Sequence, residues 1–231
     1  MMRIPLMILA GFLLATPAWA QGADDNMRHP AIMSVMDEGT ESQFVVGDAA
    51  WGDVLVTLAT LQGSAPDRAP VIAEQLWQRR DTNPPIFLFE VARLTVESDP
   101  DRALHAYFLG RARTIYDASR CIDPTALAVV TASSQQAGPA VTALMNSDTA
   151  RMEAALAAVI ESGEVFTSQA SPWWACSYGN AAYYAAINSA PMPGAEWLKV
   201  EAVWPALRTA ISNNMNANLA RVREGQQAES Q

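Results

Sequence analysis

The sequence predicts an all-α protein, built as antiparallel helical hairpins stacked into a short α-α superhelix or orthogonal bundle. Three observations carry that prediction. Asp99-Pro100, Asp123-Pro124 and Ser171-Pro172 each set a capping side chain directly before a proline suited to the first helical position. No stretch shows sustained period-two alternation flanked by hairpin turns. Paired helices begin near residues 48, 85, 124 and 172, offsets of 37, 39 and 48 residues, and periods of roughly 34 to 47 belong to helix-pair solenoids.

Residues 1–20 read as a secretory signal peptide: Arg3, an apolar stretch from Ile4 to Ala15, then the small-x-small pattern Ala18-Trp19-Ala20 with cleavage expected after Ala20. The apolar stretch is too short for the ~20 residues that span a bilayer, so stable membrane insertion after cleavage is not expected. The mature chain then keeps 14 basic and 24 acidic groups, a net charge of -10. That balance disfavours nucleic acid and anionic membrane surfaces, which need clustered cations. Two His and two Cys in the whole chain leave too few ligands for a zinc site of the usual kind, and no cofactor or metal is expected.

Residues 21–47 read as an N-terminal leader in which only Pro30 to Asp37 suggests a brief helix, and 48–224 as one α-helical domain. Trp51, Val54, Leu55, Leu58 and Leu61 recur at helical spacing up to Gly63, and Ser64 and Asp67 suit the cap of a second helix ending before Asn83-Pro84-Pro85. Further helices are expected at about 85–98, 100–120, 124–136, 148–162, 172–188 and 195–223, followed by a disordered tail at 225–231.

In the second hairpin, Leu88, Ala92 and Leu94 followed by Asp99, Asp101, Ala103, Leu104, Tyr107 and Gly110 resemble a tetratricopeptide or Sel1-like repeat. The resemblance covers about 30 residues. It implies a helix-pair scaffold of a class that mainly binds proteins, with small residues at Ala92, Ala103 and Gly110 for close helix approach and Tyr107 packed between the helices. The proline that usually closes such a repeat is absent near Ile115.

Export makes pairing of Cys121 with Cys176 the expected state, closing a loop of 55 residues. Two separate buried thiols or a reactive thiol are the alternatives, and the latter would want a C-x-x-C motif or a recognisable His partner. Within helix 100–120, Arg113, Asp117 and Arg120 form a row alternating in sign. Such a row is either an anion site made by two guanidinium groups or an ion ladder bridging a hairpin. His105 reads as a packed histidine. Residues 165–195 hold no charge at all and include Trp173, Trp174, Tyr178, Tyr183 and Tyr184. Such a segment is a central buried helix or a partner surface, and its aromatic end, Trp173, Trp174 and Tyr178, is the candidate partner-binding face.

No G-x-S-x-G, H-E-x-x-H, phosphate-binding Gly-rich loop or EF-hand loop occurs. The reading is therefore an exported, non-catalytic protein-binding domain of the periplasm: a scaffold, a secretion accessory, or an inhibitor or immunity-type protein. The alternative is a cell-wall glycosidase working through carboxylates such as Glu90, whose partners the sequence does not select.

Overall fold

A computed structural model describes residues 31–37, 40–46, 58, 68–188 and 197–229. The signal peptide, the Trp51–Leu61 helix and the Ser64 cap lie outside the described residues, Leu58 excepted. Nine α-helices run through the described part: α1 Ala69–Gln78, α2 Ile86–Thr95, α3 Pro100–Arg120, α4 Ala128–Gln135, α5 Gly138–Ser147, α6 Thr149–Ser162, α7 Trp173–Cys176, α8 Asn180–Ile187 and α9 Trp204–Glu229. The domain they form is all-α.

Local chemistry explains the starts. Asp99 accepts from Arg102 N at 3.0 Å and caps α3, with Pro100 in the first turn. Asp123 accepts from Thr125 N at 2.9 Å and caps a short 3-10 turn, Pro124–Leu127, that leads into α4. Asp148 does the same for α6 through Arg151 N. Gly163, at φ +69°, then ends α6 in the left-handed conformation that glycine adopts without steric cost.

Four expectations need correction. The stretch Ala31–Asp37 is a strand, not a helix, paired antiparallel with Thr40–Val46 in the register Ala31↔Val46 to Asp37↔Thr40. A short apolar run of seven residues fits either period, and the Phe-Val-Val run in its partner favours the extended form. The uncharged segment is two helices, because the chain breaks at Gly179. A Cβ there would sit 2.6 Å from Asp123 Oδ2, which instead accepts from Ala181 N at 2.7 Å at the start of α8. An extra helix, α5, follows Gly138-Pro139, where glycine at φ +78° turns the chain and proline enters the first turn. The last helix begins at Trp204 rather than 195, because residues 197–199 are spent on α3: Ile122 N donates to Trp197 O and Lys199 N to Arg120 O, each at 2.7 Å. It also continues to Glu229, past the expected tail boundary.

Helix α3 is the centre, in contact with α2, α4, α5, α6, α7 and α9. It approaches α2 so closely that a Cβ on Gly110 would lie 2.9 Å from Leu88 Cβ. Ala92 and Ala103 are fully buried along the same seam, and Tyr107 meets Phe89 edge to face with centroids 5.7 Å apart. One core cluster gathers Leu88, Phe89, Leu104, Leu109, Val141 and Val159; the other gathers Phe87, Ala118, Val129, Trp174 and Trp197 around the cysteines. Cys121 and Cys176 form a disulfide with Cα atoms 5.4 Å apart, joining the end of α3 to the end of α7. Among the described residues no helix is long and apolar enough to cross a membrane.

Candidate functional site

Among the described residues a groove of about 620 Å³ lies between α3, α6 and α9, a volume typical of small-ligand sites. Helical periodicity builds each wall. From α3 come Phe108, Arg111, Ala112, Ile115 and Ser119, spaced by three or four residues so that they share a face; from α6 come Met152 and Leu156. Helix α9 supplies Leu207, Ala210, Ile211, Asn214, Met215, Asn218, Arg221 and Val222, a strip that stays on one side for more than four turns. The groove is mostly apolar, and among the described residues the charges lining it are Arg111 and Arg221.

Position of the walls is set at the two ends of α9. At its start, Trp204 Nε1 donates to Lys199 O at 2.9 Å, and the Trp204 ring covers the Arg120 guanidinium at 4.9 Å. One turn on, Arg208 Nε donates to Tyr116 Oη at 2.9 Å. Towards its far end, Arg223 Nε reaches Glu153 of α6 at 2.6 Å. Along the groove edge a chain of side-chain bonds runs from Arg221 Nη2 to Asn218 Oδ1 and from Asn218 Nδ2 to Asn214 Oδ1.

The sequence-marked residues fall elsewhere. Arg113 is fully buried and all three of its nitrogens are engaged: Nη1 on Arg80 O at 2.6 Å, Nε and Nη2 on Glu164 O at 3.1 and 2.8 Å, and Nη2 also on Asp81 and Thr167. It staples the α1–α2 connection and the turn after α6 onto α3. Asp117 accepts from Trp174 Nε1 at 2.7 Å and from Arg120 Nη2 at 2.5 Å. Burial pushes the Asp117 carboxyl up, against the opposing pull of Arg120 and of the Trp174 indole. Arg120 lies between the rings of Tyr116 and Trp204, and its Nε is buried with no hydrogen-bond partner among the described residues. The row is therefore two packed structures rather than one pair of open guanidinium forks.

Trp174 is 3% exposed and spends its indole N–H on Asp117; Trp173 stacks against Trp197 at 5.1 Å, and Tyr178 meets Trp174 edge to face. Trp174 is thus packed in the core, while Trp173 and Tyr178 are half-buried. The exposed aromatics of this region are Tyr183 and Tyr184 on α8. His105 is half-buried and packs edge to face on Trp77, and burial lowers its pKa. Glu90 is fully buried, and both of its oxygens accept from Arg93, at 2.7 and 2.8 Å. Among the described residues no group of three or more His, Cys, Asp or Glu could hold a metal ion.

No protein-family model, curated protein or solved structure matches this chain.

Proposed function

We propose that the chain is an exported, non-catalytic binding protein whose ligand site is the groove between α3, α6 and α9. One observation carries this reading: an apolar concavity of about 620 Å³ that the described residues leave open, a size typical of small-ligand sites. Export is supported by the leader pattern ending at Ala20 and by the Cys121–Cys176 bridge. A protein docking on Trp173, Trp174 and Tyr178 has less support, because Trp174 is buried and the half-buried Trp173 and Tyr178 pack on Trp197 and Trp174. The hydrolase alternative gains nothing from Glu90, whose carboxylate is held by Arg93.

Nile red, a neutral apolar dye whose emission rises on leaving water, tests the site without regard to charge. It is expected to bind the parent one to one and to be excluded by Ala210→Trp, which places an indole in the groove from a solvent-exposed position. Equal dye binding by parent and an unaltered-melting Ala210→Trp variant would reject the groove as the site.

A further inference from the structure

Resting on that reading of the groove, we infer that its occupant is a single-chain anionic amphiphile, a long-chain carboxylate, with its tail along α9 and its head on Arg111 and Arg221. The tail fits the walls. From Leu207 to Val222 the lining strip of α9 is about 22 Å long at a rise of ~1.5 Å per residue. That exceeds the ~15 Å that one acyl chain occupies in half of a bilayer core. Phe108, Ile115, Met152, Leu156, Ile211 and Met215 face it, and the unbranched, polarizable methionines adapt to a flexible chain.

The head is assigned by charge. In a chain with 24 acidic and 15 basic residues, the described residues line this groove with two arginines and no carboxylate. Elsewhere the described arginines are largely paired: Arg80, Arg93, Arg102, Arg113, Arg120, Arg151 and Arg223 each hold a carboxylate. Arg111 and Arg221 hold none among the described residues. Arg111 donates from Nη1 to Ser134 Oγ, and Arg221 donates to Ala217 O and Asn218 Oδ1. Nε and Nη2 of Arg111 and Nη1 of Arg221 thus have no protein acceptor among the described residues. Both arginines are exposed residues, so an incoming carboxylate finds donors that are ready and already partly oriented. A neutral lipid leaves those donors unused, and a cationic one meets repulsion.

Competition against a fluorescent polyene carboxylate, with all competitors below their micelle concentrations, tests this on the whole mature chain. Hexadecanoate is expected to displace the probe at least about tenfold better than hexadecanol, the ratio given by one charge-assisted hydrogen bond. Hexadecyltrimethylammonium is expected to be weaker than both. The double variant Arg111→Gln/Arg221→Gln is expected to melt like the parent and to bring hexadecanoate down to the level of hexadecanol. Equal potency of acid and alcohol, with Nile red still bound, overturns the carboxylate and leaves the groove reading standing. Tighter binding of a lysophospholipid or of an acidic amphipathic peptide overturns it as well, as does a double variant that keeps the preference for the acid. Failure of every probe, Nile red included, overturns both readings.

Discussion

On one side of α3, Arg113, Asp117 and Arg120 are buried, and their charges are met by Asp81, by each other and by the Trp174 indole. On the groove side, Arg111 is exposed and among the described residues donates to a serine hydroxyl and to no carboxylate. Two residues separate Arg111 from Arg113, which at ~100° per residue turns the side chain by about 200°. The same residue type thus does opposite work on the two faces. Where charge is buried it must be paired, because an uncompensated buried ion costs several kcal/mol, and a paired ion has nothing left to offer a ligand. Where it is exposed and unmatched it adds little to folding and stays available for binding.

That contrast breaks most visibly at Asp117. Asp117→Ala strips the buried Arg120 of its counter-ion and the Trp174 N–H of its acceptor, and the expected loss is about 3–5 kcal/mol in urea unfolding. A loss below about 1 kcal/mol would mean that the two faces do not differ as described. Next comes the bridge at the end of α3. Cys121→Ser/Cys176→Ser is expected to cost about 2–4 kcal/mol, in line with loops of this length, and to leave Nile red binding intact, since neither cysteine lines the groove. Loss of dye binding at a temperature where the variant remains folded would join the two faces into one unit.

The smallest effect is expected at Asp123, just beyond the bridge. Partial burial raises its carboxyl pKa, but bonds from Ala181 N, from the Thr125 hydroxyl and from Thr125 N outweigh that and hold it below the usual aspartate range. A lowered folded-state pKa contributes stability that is present above the unfolded value and is lost as pH falls through the folded one. Both carboxylate oxygens accept, so Asp123→Asn, which puts an amide nitrogen in place of one of them, should cost about 1 kcal/mol at pH 7, and the gap to the parent should close as acid protonates Asp123. A gap that is constant with pH would assign the cost to packing instead.

Helix starts were legible because capping chemistry is local: Asp99, Asp123 and the proline after each act within one turn, and the structure keeps both caps. The cysteine pairing was legible because two cysteines in the chain allow a single bridge. Helix α5 was missed although Gly138-Pro139 announced it, since that pair also reads as a plain break. The hairpin at 31–46 was missed because seven apolar-rich residues fit either period. The groove was not legible, for its walls come from residues 108–119, 152–156 and 207–222, and only tertiary packing brings them together. Nor does an arginine's identity report its burial: Arg113 drew attention for its spacing to Asp117, while Arg111 has no such neighbour and is the one left free to face a ligand.

Helix α9 follows α3 and α6 in the chain, and it is one wall of the groove. About 66 residues separate Leu156 from Val222, so at ~5–20 residues per second the ribosome needs roughly 3 to 13 s to supply that wall. During this interval Phe108, Ile115, Met152 and Leu156 have no cover from α9. A nascent or truncated chain ending before Trp204 therefore presents a sticky apolar strip, the kind of surface that chaperones hold and that aggregates when they do not. Helix α9 is as much a matter of timing as of shape: until it arrives, the uncovered strip is a liability to the chain that carries it.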